Sequence, residues 1–256
     1  MVHPVCTGLC LLPAIGILSR LFSKNAGGRS LSGLHRAAAE GNVAEVQRLL
    51  REETPVNERD RQGATPLHHA RTAEIARLLL DAGASVRAPD KTGRTPLHCA
   101  SWSNDTGRLE LLLERGAEVE ARTNQGQTPL LCAAANDAGR AVEFLLRRGA
   151  DVTARTPAGA TALHEAARGG AVESVRALLR HGCDAAARDG RGWTPLHCAV
   201  GNPEATAKHR QVAAALLAAG ADVNCRSVDG ATPMRLVKGK DRAGFRGVLR
   251  AHGGRE

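Results

Sequence analysis

The sequence predicts an all-α solenoid, in which helix-turn-helix units stack on one another and β-turn or hairpin fingers join them. Three observations carry this expectation. The first is a recurring motif: Thr65-Pro66-Leu67-His68, Thr95-Pro96-Leu97-His98, Thr128-Pro129-Leu130-Leu131, Thr161-Ala162-Leu163-His164, Thr194-Pro195-Leu196-His197 and Thr232-Pro233-Met234-Arg235, after a degenerate Ser32-Gly33-Leu34-His35. Successive Thr or Ser positions differ by 33, 30, 33, 33, 33 and 38 residues, and a fixed period of this length is the signature of stacked repeats. The second is that the copies continue alike, through small residues (Ala37-Ala38, Ala133-Ala134, Ala166-Ala167) to a Leu pair such as Leu112-Leu113 or Leu178-Leu179. The third is composition. Aromatics make up 2% of the chain, with no Tyr, against 43% apolar residues, so the core is thin and aliphatic rather than built on large rings.

Each element of a copy has a local cause. Thr is a favoured N-cap, and Pro at the next position loses no hydrogen bond because that N–H has no helical partner. Ala-Ala on the short first helix permits close approach of a neighbour. The Leu pair, preceded by Val46, Val142 or Val175, gives the second helix an apolar stripe. A Gly such as Gly116, Gly149 or Gly220 then ends that helix in a left-handed cap. Segments such as Asp60-Arg61-Gln62-Gly63 and Asp90-Lys91-Thr92-Gly93 read as turns. No copy can bury its face alone, so residues 31–256, with copies starting near 32, 65, 95, 128, 161, 194 and 232 and a capping last one, form one cooperative array. Two copies break the period. The second lacks three residues around Ala70–Glu74, and the sixth gains five within Gly201–Gln211, which are expected to go to a loop.

The T-P-L-H-x-A motif and 33-residue period resemble the ankyrin-repeat family over residues 31–256. The resemblance implies a non-enzymatic scaffold or adaptor that binds another protein on a concave surface lined by turn tips and first-helix ends. Mapped copy onto copy, the expected partner-binding residues are Arg61, Lys91, Arg94, Trp102, Arg191 and Trp193. Both tryptophans then occupy variable, solvent-facing positions, and Trp and Arg are the residues most enriched at binding hot spots. The alternative for each Trp is cover over neighbouring Leu and Ala residues. The resemblance makes the motif histidines structural. It also points to Asn224 as a hydroxylation candidate. The chain ends within seven residues of Leu249, so no SOCS box for ubiquitin-ligase recruitment is expected.

The charge is uneven in kind and place. The net charge of +9 is carried by 30 Arg and only 5 Lys. Residues 1–30 hold three basic and no acidic side chains, residues 232–256 seven and two, and the intervening repeats 25 and 24. A nearly neutral array without aromatic platforms disfavours nucleic-acid binding. Arg242, Arg246 and Arg250 recur at helical spacing opposite Phe245, Val248 and Leu249. They read as a solvated face, with an acidic-ligand patch (nucleic acid or lipid) as the alternative. In the head, residues 1–30, Ala14, Ile15, Ile17, Leu18, Leu21 and Phe22 share one helical face beside Arg20 and Lys24, which suits disorder, a capping helix, or a mitochondrial or membrane-surface address. No apolar run reaches the ~18 residues of a spanning helix.

No catalytic motif is present: there is no Walker loop, G-x-S-x-G elbow, H-E-x-x-H or kinase signature. The expectation is therefore no enzyme, no cofactor, no metal and no small-molecule substrate. Seven Cys without a C-x-x-C pair point to a reducing compartment, cytoplasmic or nuclear; a monomer is expected. Cys99, Cys132 and Cys198 share one repeat position and read as packing residues.

Overall fold

A computed structural model describes residues 33–238 and 241–255, so expectations for the head fall outside the described residues. Leu31–Glu256 forms one contact unit. Among the described residues seven helix pairs follow in order: α1 (Gly33–Glu40) and α2 (Val43–Arg51), α3 (Pro66–His69) and α4 (Ala73–Asp81), α5 (Pro96–Trp102) and α6 (Thr106–Glu114), α7 (Pro129–Ala135) and α8 (Gly139–Arg147), α9 (Ala162–Gly169) and α10 (Val172–Arg180), α11 (Pro195–Val200) and α12 (Ala207–Ala218), α13 (Pro233–Leu236) and α14 (Arg242–Ala251). First helices pack on first helices and second on second along the array. Among the described residues there is no strand; the fingers between pairs are turns.

Two apolar columns run the length of the stack. Motif residues Leu34, Leu67, Leu97, Leu130, Leu163, Leu196 and Met234 are all buried, as are Leu79, Leu112, Leu145, Leu178, Leu216 and Leu249 from the second helices. Glycine is needed where the second helices end: Gly83, Gly116, Gly149, Gly182 and Gly220 all have φ between 74° and 89°. In the first copy Glu53 takes this role at φ 57°, against the steric preference of a side chain.

The motif histidine, expected to be structural, bonds both within its copy and beyond it. His68, His98, His164 and His197 each accept the N–H of their own N-cap Thr on Nδ1, at 3.0 to 3.2 Å. Their Nε2–H reaches forward to a carbonyl of the next finger: Arg94, Gln127, Trp193 and Ala231, at 2.9 to 3.1 Å. His35 bonds Ala64 O in the same way at 3.0 Å. One ring therefore caps its own helix and clamps the next repeat, and its two partners assign the Nε2–H tautomer.

Both irregular copies are repaired by neighbours. The deletion shortens α3 to four residues, and the buried Arg108 of the next copy bonds the Ala70 carbonyl, Ser103 Oγ and Asp105. The insertion goes only partly to a loop, which corrects the expectation. It lengthens α12 to twelve residues, against nine in α10, because Thr206 and His209 repeat the Thr-x-x-His cap. His209 Nε2 and Asn202 Nδ2 both bond the Arg168 carbonyl at 3.0 Å, which pins the insertion to the preceding copy.

Burial holds His98, His164, His197 and His209 below the ordinary imidazole range and pushes His68 down to about 4. Their clamps require the neutral ring, so this stability is complete above pH 6.5 and is lost as pH falls toward the folded-state values. For His68 alone the shift corresponds to about 3 kcal/mol. Thermal unfolding followed by circular dichroism should show a midpoint level above pH 7 that drops between pH 6.5 and 4. A His197→Leu variant should fall less steeply over the same interval. Glu53→Gly should raise stability by about 1 kcal/mol in urea titration by relieving the left-handed side chain.

Candidate partner-binding surface

Each finger is built on one acceptor side chain. Oδ1 of Asp60, Asp90 and Asp189 accepts backbone N–H groups two and four residues on, at 2.8 to 3.0 Å. Thr123 Oγ1 makes the same pair of bonds in its finger, and Thr156 and Ser227 hydroxyls keep the second. Left-handed Gly63, Gly93, Gly126, Gly159, Gly192 and Gly230 close the turns.

Behind the tips lies a series the sequence reading missed. Arg59, Arg122, Arg155, Arg188 and Arg226 each stand six residues before a motif Thr. Nη1 of the first four bonds the Gly carbonyl of its own finger and a carbonyl of the next, those of Pro89, Arg155, Arg188 and Arg226, at 2.6 to 3.1 Å. Arg226 keeps only the bond to its own Gly230. The first four are staples between fingers, not free charges for a ligand. The signal that could have found them was the constant offset from Thr.

The expected partner-binding residues separate into different environments. Arg61 and Lys91 are exposed at their tips. Arg94 is held back by Asp90, at 2.9 Å. Trp102 closes α5 and is half-buried, its carbonyl accepting Asn136 Nδ2 at 2.7 Å. Trp193 is half-buried too, so neither ring is freely solvent-facing. Its indole lies beside His197 with ring centres 6.2 Å apart, and a Cβ on Gly201 would come within 3.2 Å of it. The Arg191 guanidinium covers the ring at 4.1 Å and lies 3.5 Å from Asp189. Val228, 77% exposed, stands on the adjoining finger, whose N–H bonds the Arg191 carbonyl at 3.0 Å. The fold thus brings Arg191, Trp193 and Val228 together, and Lys91 and Arg94 stand together on another finger.

The remaining candidates are placed as follows. Arg242 and Arg250 are exposed on α14 and Arg246 is half-buried, beside buried Phe245 and Leu249. Asn224 Nδ2 donates to Gly253 O at 3.1 Å, and its Oδ1 accepts Arg255 N–H at 2.9 Å. Its amide thereby ties the approach to the last finger to the segment that follows α14. Cys99, Cys132 and Cys198 are free thiols, and burial pushes Cys132 up to about 12 and Cys198 to about 11. Among the described residues no group of three His, Cys, Asp or Glu side chains could hold a metal ion, and no helix is long and apolar enough to cross a membrane.

The fold and its fingers define a repeat solenoid with a stapled finger edge. A family model for ankyrin repeats in three copies matches residues 34–123, 93–156 and 130–227, and the chain belongs to the ankyrin-repeat family. The human ASB11 ankyrin repeat domain is similar in structure, with a TM-score of 0.75 and 25% identity over 88% of this chain and 100% of that one. The ankyrin repeat domain of Bcl-3, a member of the IkappaB protein family, gives 0.64 and 29% over 86% and 98%. By sequence, the RelA-associated inhibitor of Mus musculus is 40% identical over 73 residues, and Rabankyrin-5 of Mus musculus 39% over 82. Those stretches cover 27% and 26% of this chain, and 9% and 7% of the two relatives, so the chain spans less than a tenth of either.

The Arg191–Trp193 stack has an optical consequence. In a Trp102→Phe background, Arg191→Ala should uncover the remaining indole, raising acrylamide quenching and shifting emission to the red. Unchanged quenching would show that the guanidinium does not shield the ring in solution.

Proposed function

We propose that this chain is a non-enzymatic interaction scaffold that holds a partner protein against its finger edge and concave surface. The observation that carries the reading is the cluster of Arg191, Trp193 and Val228. It joins an exposed apolar side chain to a ring already held by a guanidinium, so little side-chain ordering is needed when a partner docks. Lys91, Arg61, Arg94 and Trp102 form a second centre in this reading, more polar and nearer the start of the array. Family membership supports a protein partner. The name of the RelA-associated inhibitor suggests RelA as the first probe, and the proposed site of action is cytoplasmic or nuclear. Modification of Asn224 by an asparaginyl hydroxylase belongs to the same proposal, with peptide mass analysis as its test.

Arginine staples also favour a protein partner over an acidic polymer. Arg59, Arg122, Arg155 and Arg188 already serve finger carbonyls, and residues 31–231 hold 24 acidic against 25 basic side chains, so the array offers an acidic polymer little net attraction. The test is quantitative affinity capture on immobilised full-length chain, with purified RelA as one defined probe. Trp193→Ala and Val228→Asp should each weaken capture about tenfold or more, the scale of a hot-spot residue. Capture should change little between low and moderate salt. Undiminished capture by both variants would remove the Trp193 cluster from the interface, and a steep loss with salt would favour the acidic-ligand reading.

A further inference from the structure

Three kinds of directed bond tie the first-helix and finger side of neighbouring copies, besides the arginine staples. The motif His bonds a carbonyl of the next finger. A finger N–H bonds the preceding finger: Lys91 to Gln62, Asn124 to Thr92, Gly190 to Ala158 and Val228 to Arg191, at 2.8 to 3.0 Å. At two junctions a side-chain amide at the end of a first helix also reaches back, Asn136 to Trp102 O and Asn202 to Arg168 O. Between the fourth and fifth copies all three are missing, each for a covalent reason. Leu131 stands where the five other copies that precede a neighbour have His, Pro157 has no N–H to offer Gln125, and Gly169 has no side chain where Asn136 and Asn202 do.

What remains on that side is one staple, Arg122 to the Arg155 carbonyl at 3.0 Å, and apolar packing. Leu131, Ala134, Ala162 and Ala166 are buried there, and a Cβ on Gly126 would lie 2.6 Å from the Pro157 ring. The second-helix side is fastened. Asp137 Oδ1 accepts the N–H groups of Glu173 and Ser174 at 2.8 and 3.1 Å, and Glu120 accepts Asp151 N–H at 2.9 Å. Apolar contacts are not directional, so they resist separation but not a small change of angle, whereas hydrogen bonds weaken steeply off axis.

We propose that the junction between the fourth and fifth copies is a hinge, clasped on the second-helix side and able to gape between the fingers at 123–127 and 156–160. The hinge divides the array into a half bearing Lys91, Arg94 and Trp102 and a half bearing Arg191, Trp193 and Val228. A partner that touches both centres selects the hinge angle. That consequence rests on the proposed binding surface; the hinge itself does not.

Hydrogen exchange with mass spectrometry on the free full-length chain tests it without any partner. Finger segments 121–128 and 154–162 should exchange roughly tenfold faster than 87–95 and 188–194, as expected for a locally weaker unit. Leu131→His combined with Pro157→Lys restores the clamp and the finger bond, and should bring the slow rate to both segments. His164→Leu, which removes the clamp at the next junction, should speed 188–194 instead. Equal protection of all fingers in the parent chain, or a folded double variant that still exchanges at the parent rate, would overturn the hinge. Failure of Trp193→Ala to affect capture would bear on the binding surface alone.

Discussion

The array depends on one imidazole used twice. In each complete copy the His Nδ1 accepts its own N-cap N–H, and Nε2–H donates to the following finger. The first bond closes a helix of only four to eight residues, too short to persist alone in water. The second joins that helix to its neighbour across almost a full period. Local order and stacking therefore share one side chain, and both need it neutral and buried. A ring committed at both nitrogens has no electron pair left for a metal and no proton left for catalysis.

Arginine works in the same spirit. The chain holds six times as many Arg as Lys, and the Arg59 to Arg188 series shows a use for the difference. A single guanidinium nitrogen meets two carbonyls in adjacent fingers, held by a planar head that lysine lacks. The positive charge that looks like a ligand signal in composition is partly fixed in these staples, and residues 31–231 balance 25 basic side chains with 24 acidic ones.

Irregularity is absorbed by bonds to an adjoining copy. Arg108 covers the carbonyl bared by the shortened α3, and His209 and Asn202 hold the insertion. Asn104 and Asp137, left-handed at φ 57°, serve N–H groups at the start of the following second helix. The fourth copy's junction is different because its three departures coincide, and no neighbour supplies a replacement bond on the finger side.

The repeat boundaries, the helix pairs, the capping Thr and the left-handed Gly were legible in the sequence, because each follows from the bonding needs of a few adjacent residues. The basic and apolar finger positions were legible as positions. Their environments were not. Trp193 is half-buried under Arg191 and against Gly201, while Arg94 is drawn onto Asp90. The arginine staples left a constant offset that a closer reading would have caught, but their acceptors are backbone carbonyls, which carry no residue signature. By itself the sequence determined the period, the elements and which side chains vary. Tertiary structure decided which variable residues meet and which are already paired, since those contacts cross about thirty residues of chain and depend on the stacking geometry of whole repeats.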